Sequence, residues 1–137
     1  MTLEEMLQIK RKQKKKQVHN DEEHRIQCAC VEWFSHQYPK LRGRLFAVPN
    51  GGKRDQVTGG KLKAEGVVPG VADLILLKSN RDYGALLIEI KTPAGRQSDS
   101  QKEWQKIICE NGEYKYVICR SLDDFIRVVN GYLRNEF

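Results

Sequence analysis

A small mixed α/β domain, with helices packed on a short sheet, is the architecture this sequence predicts, and three observations predict it. Apolar residues recur at helical spacing in well-separated segments, as in Ile26, Cys30, Trp33 and Phe34. Between them lie short apolar runs of strand length, Leu45 to Val48, Asp73 to Lys78, Ala85 to Lys91 and Tyr114 to Cys119, each bounded by turn residues. The resulting order of helix, strand, strand, strand, helix, strand, helix fits a sandwich built around one small sheet, and 137 residues suffice for one core but not for two ordinary domains.

The chain opens with Thr2 and Glu5 at capping-box spacing, followed by Leu3, Met6 and Leu7 and then the basic run Lys10 to Lys16. Residues 1–20 are therefore expected to form a basic helix or arm, and residues 21–137 a single domain. The apolar stripe of the arm spans only about two turns, so it needs a partner surface to be stable: the body, nucleic acid or another subunit. A helix from Asp21 to Tyr38 should end before Pro39 and Gly43, and Leu45 to Val48 should run as a strand into the tight loop Pro49-Asn50-Gly51-Gly52.

From Lys53 to Gly66 a short helix is expected, then a turn at Val67-Val68-Pro69-Gly70. The two apolar runs on either side of Ser79 to Gly84 read as a β-hairpin. The segment Ser98 to Glu110 should be a helix with Trp104, Ile107 and Ile108 inward and Asn111-Gly112 as its stop. A last helix, Ser121 to Leu133, is capped by Ser121 with Asp124 in its first turn.

Composition narrows the function. A net charge of +6 and a pI near 9.2 suit a polyanionic partner, although much of the excess sits in the Lys10 to Lys16 run. No apolar run approaches the roughly 20 residues that cross a bilayer, and the N-terminus has no signal-peptide pattern, so a cytosolic protein is expected. Cys28, Cys30, Cys109 and Cys119 form no C-x-x-C pair and are read as reduced and structural, with a zinc site from His24, Cys28 and Cys30 as the minor alternative.

The chemistry-bearing pattern is Asp73 at the start of one hairpin strand and Glu89-Ile90-Lys91 at the end of the other. Alternation puts Glu89 and Lys91 on one face, and a tight hairpin brings Asp73 beside them. Carboxylates this close repel and, when partly buried, take up protons unless a cation lies between them. Mg²⁺ or Mn²⁺ suits such oxygen donors, with the Ile90 carbonyl as a third ligand and Lys91 beside a phosphate undergoing hydrolysis. An E-x-K pair is equally the pattern of an ordinary cross-strand salt bridge. The Asn50, Gly51, Lys53 and Arg54 loop could bring main-chain amides and cations up to phosphates, followed by Lys61, Lys63 and Arg96. A glycine-rich turn with solvated lysines would look the same.

Several motifs in order resemble one family. They are Glu23-His24-Arg25-Ile26-Gln27, Val48-Pro49-Asn50-Gly51-Gly52-Lys53-Arg54, Gly66 to Leu74, Ile88-Glu89-Ile90-Lys91, and Ser98 to Gln105. Over about Glu23 to Tyr132 the chain is similar to the virus-type replication-repair nuclease (VRR-NUC) domain, a branch of the PD-(D/E)XK superfamily. The resemblance implies a restriction-endonuclease-like αβββαβ core, Asp73, Glu89 and the Ile90 carbonyl as metal ligands, Lys91 as catalytic lysine, and Gln101 and Glu23 as further site residues. The superfamily's proline directly before the aspartate is missing, since Ala72 precedes Asp73 and Pro69 stands further back. Two other readings of the residues stay open: Asn20 and Glu23 stand at capping-box spacing, and Gln101 could lie exposed on its helix's first turn.

The resemblance also implies a homodimer acting on branched DNA such as Holliday junctions, in a bacterial or phage-infected host cell. A nucleic-acid-binding module without chemistry is the alternative, and a phosphoesterase for small nucleotides a third. Metal-dependent turnover separates the first reading from the second.

Overall fold

The computed structural model describes residues 1–49 and 56–136. Nine elements follow in order: α1 (Leu3–Gln37), a 3₁₀ turn (Pro39–Leu41), β1 (Leu45–Ala47), α2 (Gln56–Ala64), β2 (Leu74–Leu76), β3 (Leu86–Ile90), α3 (Asp99–Cys109), β4 (Lys115–Cys119) and α4 (Leu122–Leu133). The expected order holds, with the short helix of the 53–66 region realised as α2.

The first two expected units are one element. Neither glycine nor proline interrupts residues 1–37, so nothing breaks the backbone at Asn20, and α1 runs through 35 residues. Its N-terminus is closed by the expected capping box, with Thr2 N–H donating to Glu5 Oε2 (2.9 Å) and Glu5 N–H to Thr2 Oγ1 (3.2 Å). It ends at Tyr38, where Pro39 disfavours further helix. A cap at Asn20 is thereby excluded, because Asn20 and Glu23 both lie inside the helix.

The sheet has the order β1-β2-β3-β4. β1, β2 and β3 are antiparallel neighbours, with Leu45 opposite Leu76 and Leu74 opposite Ile88. β4 lies parallel to β3, with Leu87 opposite Tyr116 and Ile90 opposite Cys119, as a β-helix-β crossover through α3 requires.

Strand alternation separates two faces. Leu74, Leu76, Leu86, Ile88, Ile90 and Cys119 point to one side and pack with Cys30 and Phe34 of α1 and Phe125, Val128, Val129 and Tyr132 of α4. Each fully buried aliphatic or phenyl side chain there contributes about 1.5–3 kcal/mol. Trp33 adds edge-on ring contacts to Phe125 and Tyr38 at about 6 Å. The hairpin loop is tied to the same layer, because the Tyr132 hydroxyl donates to the Lys78 carbonyl (2.6 Å) and Asn80 Nδ2 to the Tyr132 carbonyl (3.0 Å).

The opposite face carries Asp73, Ile75, Leu87, Glu89 and Tyr116, and α3 covers its β4 side, where the Trp104 ring lies 6.2 Å from Tyr116. Ile107, expected inward, is instead 60% exposed. The helix contacts the sheet along a narrower stripe than its apolar residues would allow, with Trp104 and Ile108 partly covered. A close approach fixes α3. Gly70 adopts φ +82°, and a Cβ there would overlap the Ser100 carbonyl at the start of α3. Gly43 also has positive φ, +85°, but open space around it.

These two glycines predict different costs. Gly43→Ala should destabilise by about 1–2 kcal/mol, the penalty of a left-handed non-glycine residue. Gly70→Ala should cost more than 3 kcal/mol, because backbone on both sides would have to move. Urea denaturation of the two variants checks the difference.

Candidate active site

The ladder extends one residue beyond β2, since Val48 N–H donates to the Asp73 carbonyl (2.9 Å). Continuing the β2–β3 register from Leu74 opposite Ile88 sets Asp73 opposite Glu89. Asp73 Oδ2 accepts the Ile90 N–H at 2.7 Å, which pins the carboxylate against the end of β3. Lys91 N–H donates to the Cys119 carbonyl (3.0 Å), so β4 holds the backbone of the lysine as well. Asp73, from the start of one hairpin strand, thus meets Glu89 and Lys91, from the end of the other, at one end of the sheet.

Glu89 is the unusual member. It is completely buried next to the end of a strand whose other residues are apolar. Its Oε1 accepts from the Tyr116 hydroxyl (2.5 Å) and from Gln97 Nε2 (3.3 Å), and Gln97 Nε2 also donates to Gln105 Oε1 (2.8 Å). Oε2 is buried and meets no donor among the described residues. A buried carboxylate oxygen without a partner is expensive, which is the condition a bound cation relieves.

Electrostatics at Asp73 agree with that geometry. Burial pushes its carboxyl up from 3.8 to about 6, the negative charges of Glu89 and Glu23 push in the same direction, and the Ile90 N–H and Lys91 pull it back. Glu89 also contributes, after burial, to holding the Tyr116 phenol far above its ordinary range, so this hydroxyl stays a donor. Glu23, on α1, is therefore close enough for its charge to be felt at Asp73.

The remaining residues singled out in the sequence fall in different places. Gln101 closes the N-terminus of α3, its Oε1 accepting Ser98 N–H (2.8 Å) while its own N–H donates to Ser98 Oγ (3.2 Å). The glutamine beside Glu89 is Gln97, which in turn donates to Gln105. Lys61 and Lys63 are exposed in the last turn of α2, and Arg96 is exposed next to Gln97. Asn50, Gly51, Lys53 and Arg54 lie outside the described residues. All four cysteines are free; Cys30 and Cys119 are buried in the core, while Cys28 Sγ lies 3.5 Å from His24 Nε2 on the exposed side of α1. His24, Cys28 and Cys30 do not converge, because Cys30 faces the core.

Tyr116, Gln97, Gln105 and Arg120 went unrecognised in the sequence. Treating β3, α3 and β4 as a crossover unit would have found the first, because parallel pairing sets Tyr116 on the Glu89 face. Arg120 Nη1 donates to the carbonyls of Thr92 (2.8 Å), Pro93 (3.3 Å) and Gly95 (2.6 Å), clamping the turn that links Lys91 to Gln97.

The donor set fits a hard divalent cation. No three His, Cys, Asp or Glu side chains converge as one ligand set among the described residues. Asp73 and Glu89 would supply two carboxylates, with the Ile90 carbonyl and water as further oxygens, the mixture Mg²⁺ and Mn²⁺ accept.

Fold and site define an α/β domain of the restriction-endonuclease-like class, with two acidic residues and a lysine at the end of its central hairpin. The VRR-NUC domain profile matches residues 10–123, and the chain belongs to that family, which is of nuclease type. Among solved structures, a VRR_NUC domain protein is similar at 27% identity and TM-score 0.70, over 82% of this chain and 88% of that one. No curated protein matches. No helix among the described residues is long and apolar enough to cross a membrane.

The raised Asp73 carboxyl makes a prediction for the metal-free protein. Between about pH 4 and 6 the folded chain holds a proton on Asp73 that the unfolded chain has released, so this contribution to stability is full below about 4 and is lost as pH rises through about 6. Asp73→Asn has no such titration. In EDTA, the melting temperature of the wild type relative to Asp73→Asn should fall between about pH 4 and 7; a constant difference would contradict the assignment.

Proposed function

We propose that the chain is a Mg²⁺- or Mn²⁺-dependent DNA endonuclease that hydrolyses phosphodiester bonds at Asp73, Glu89 and Lys91. The observation that carries this reading is the completely buried Glu89 with an unpartnered Oε2, next to Asp73, in a chain of nuclease family. A structural ion pair would have spent both carboxylate oxygens on donors.

Asp73, Glu89 and the Ile90 carbonyl would hold the cation, which when bound polarises a phosphoryl oxygen and acidifies a water. Asp73 is kept in place by the Ile90 N–H, and Glu89 by Tyr116 and Gln97, so both would hold the ion with little reorganisation. By strand alternation Lys91 follows Glu89 on the same face, and its charge acts on Asp73, so it would orient the attacking water and neutralise charge growing on the phosphate. The new P–O bond would form from that water as the bond to the departing strand end breaks, the attacking water losing a proton to solvent and the departing oxygen taking one from a solvent water. Glu23, whose charge acts on Asp73, would add a third carboxylate near the site.

For substrate we propose branched DNA, including Holliday junctions, cut by a homodimer whose two sites address two strands of a two-fold target. The Asn50, Gly51, Lys53 and Arg54 loop, with Lys61, Lys63 and Arg96, would contact phosphates, and Gln101 would set the position of α3 beside the site.

The decisive experiment is cleavage of labelled single-stranded, duplex, flap and four-way-junction DNA in Mg²⁺, Mn²⁺ or EDTA. Cutting should require metal, and Lys91→Ala should lower the rate by at least about 100-fold, the scale of losing one stabilising group at the transition state. Metal-indifferent binding without cutting would replace this reading with a non-catalytic DNA-binding module. Tyr116→Phe tests the support of Glu89: it should weaken Mn²⁺ binding about 10-fold in calorimetry, as loss of a hydrogen bond to a ligand typically does.

A further inference from the structure

The segment Leu3 to Lys15 of α1 has no role in the core or in the site. Every residue from Leu3 to Lys15 is exposed, and among the described residues of α1 the first packed against the core is Ile26. This stretch carries Lys10, Arg11, Lys12, Lys14 and Lys15, with no acidic residue between Glu5 and Asp21. Lys10 with Lys14, and Arg11 with Lys15, are like charges four residues apart, which weakens an isolated helix. At 3.6 residues per turn the five cations spread over about 200° of the helix circumference rather than along one stripe.

We infer that this projecting segment is a phosphate-binding arm that lies along duplex DNA, with cations facing both strands of a groove. The inference rests on DNA being the substrate of the site above. A second copy of the chain is a poor occupant for the cationic stretch, because outside residues 1–20 it carries 18 Lys and Arg against 16 Asp and Glu and so offers no net negative charge. Duplex DNA offers two rows of anions flanking a groove that admits a helix, and it removes the repulsion within the arm. From Leu3 to Lys15 the arm is about 20 Å long, more than half a turn of duplex. Because α1 is continuous as far as Glu23, the arm sets the direction in which DNA leaves the Asp73 and Glu89 site.

The test is fluorescence anisotropy of a labelled duplex of about 20 base pairs in EDTA, across about 50–300 mM KCl, comparing wild type with the combined variant Lys10→Gln, Arg11→Gln, Lys12→Gln, Lys14→Gln and Lys15→Gln. Glutamine keeps helix propensity, and the arm makes no core contact, so thermal unfolding of the body should be unchanged. Each phosphate contact contributes about 0.9 to the slope of log K against log salt, so the slope should shrink by about 3–4. A reduction below about 2 overturns the inference, and sedimentation would then show whether the arm instead joins two copies. The two proposals fail separately. A chain that cleaves with an unchanged slope refutes only the arm, whereas one whose slope falls but which never cleaves refutes only the nuclease.

Discussion

A buried carboxylate is the constraint around which this protein is organised. Glu89 sits in the central strand of the sheet with zero exposure, flanked by Ile88 and Ile90, which face the core. Burying a charge costs several kcal/mol even after relaxation, and the neutral donors Tyr116 and Gln97 offset only part of it, both at Oε1. The apolar layer on the opposite face of the same strand must supply the difference. Leu74, Leu76, Leu86, Ile88 and Ile90 interlock there with two helices, which keeps β3 from shifting to bring Glu89 to water. A one-residue slip would exchange the faces, burying Leu87 in the core and Glu89 among Phe125 and Tyr132, so the register that builds the core also builds the site.

Loops complete what the strands begin, and each is tied down by main-chain contacts. Arg120 collects three carbonyls of the turn after Lys91, while its own N–H donates to Asp124 Oδ2 (2.9 Å) at the start of α4. Gly70 lets the turn before Asp73 lie against the first residues of α3, and the Ser98 and Gln101 capping box fixes where that helix starts. Consequently the stretch that delivers Asp73, the turn that delivers Gln97 and the helix that delivers Gln105 all meet on the Glu89 face. Positioning of this kind relies on backbone geometry, which tolerates less side-chain substitution at Gly70 and Arg120 than their distance from the chemistry would indicate.

Much of this was legible in the sequence, and the remainder was hidden for identifiable reasons. Period-two alternation and one hairpin were enough to bring Asp73 beside Glu89, and the caps at Thr2 and Ser121 read directly from local spacing. The continuity of α1 was not, because the basic run lacks the apolar stripe that marks a packed helix; nothing breaks the helix there, but nothing in the periodicity announces it either. Gln97, Gln101 and Gln105 illustrate a second limit. Four-residue spacing sets them along one side of the chain near α3, yet only the capping geometry turns Gln101 back to Ser98 and leaves Glu89 to Gln97. Tyr116 depended on a parallel pairing between strands separated by a helix, a non-local relation that residue spacing within either strand does not contain.

The long first helix joins these levels. Its inner half is a core element through Cys30 and Phe34, its middle carries Glu23, whose charge reaches Asp73, and Leu3 to Lys15 stand in solvent. A helix whose inner turns are locked into a close-packed core transmits orientation along its axis, because bending it would break backbone hydrogen bonds without a glycine or proline to absorb the change. The direction of the outer half is therefore set by the same packing that positions β3. For an enzyme acting on a long polymer this matters more than local affinity: a charged loop could bind phosphate in many orientations, whereas a rigid helix anchored beside the acidic site admits few. Separating the basic segment from the domain, as the sequence first invites, would remove that geometric coupling along with the charge.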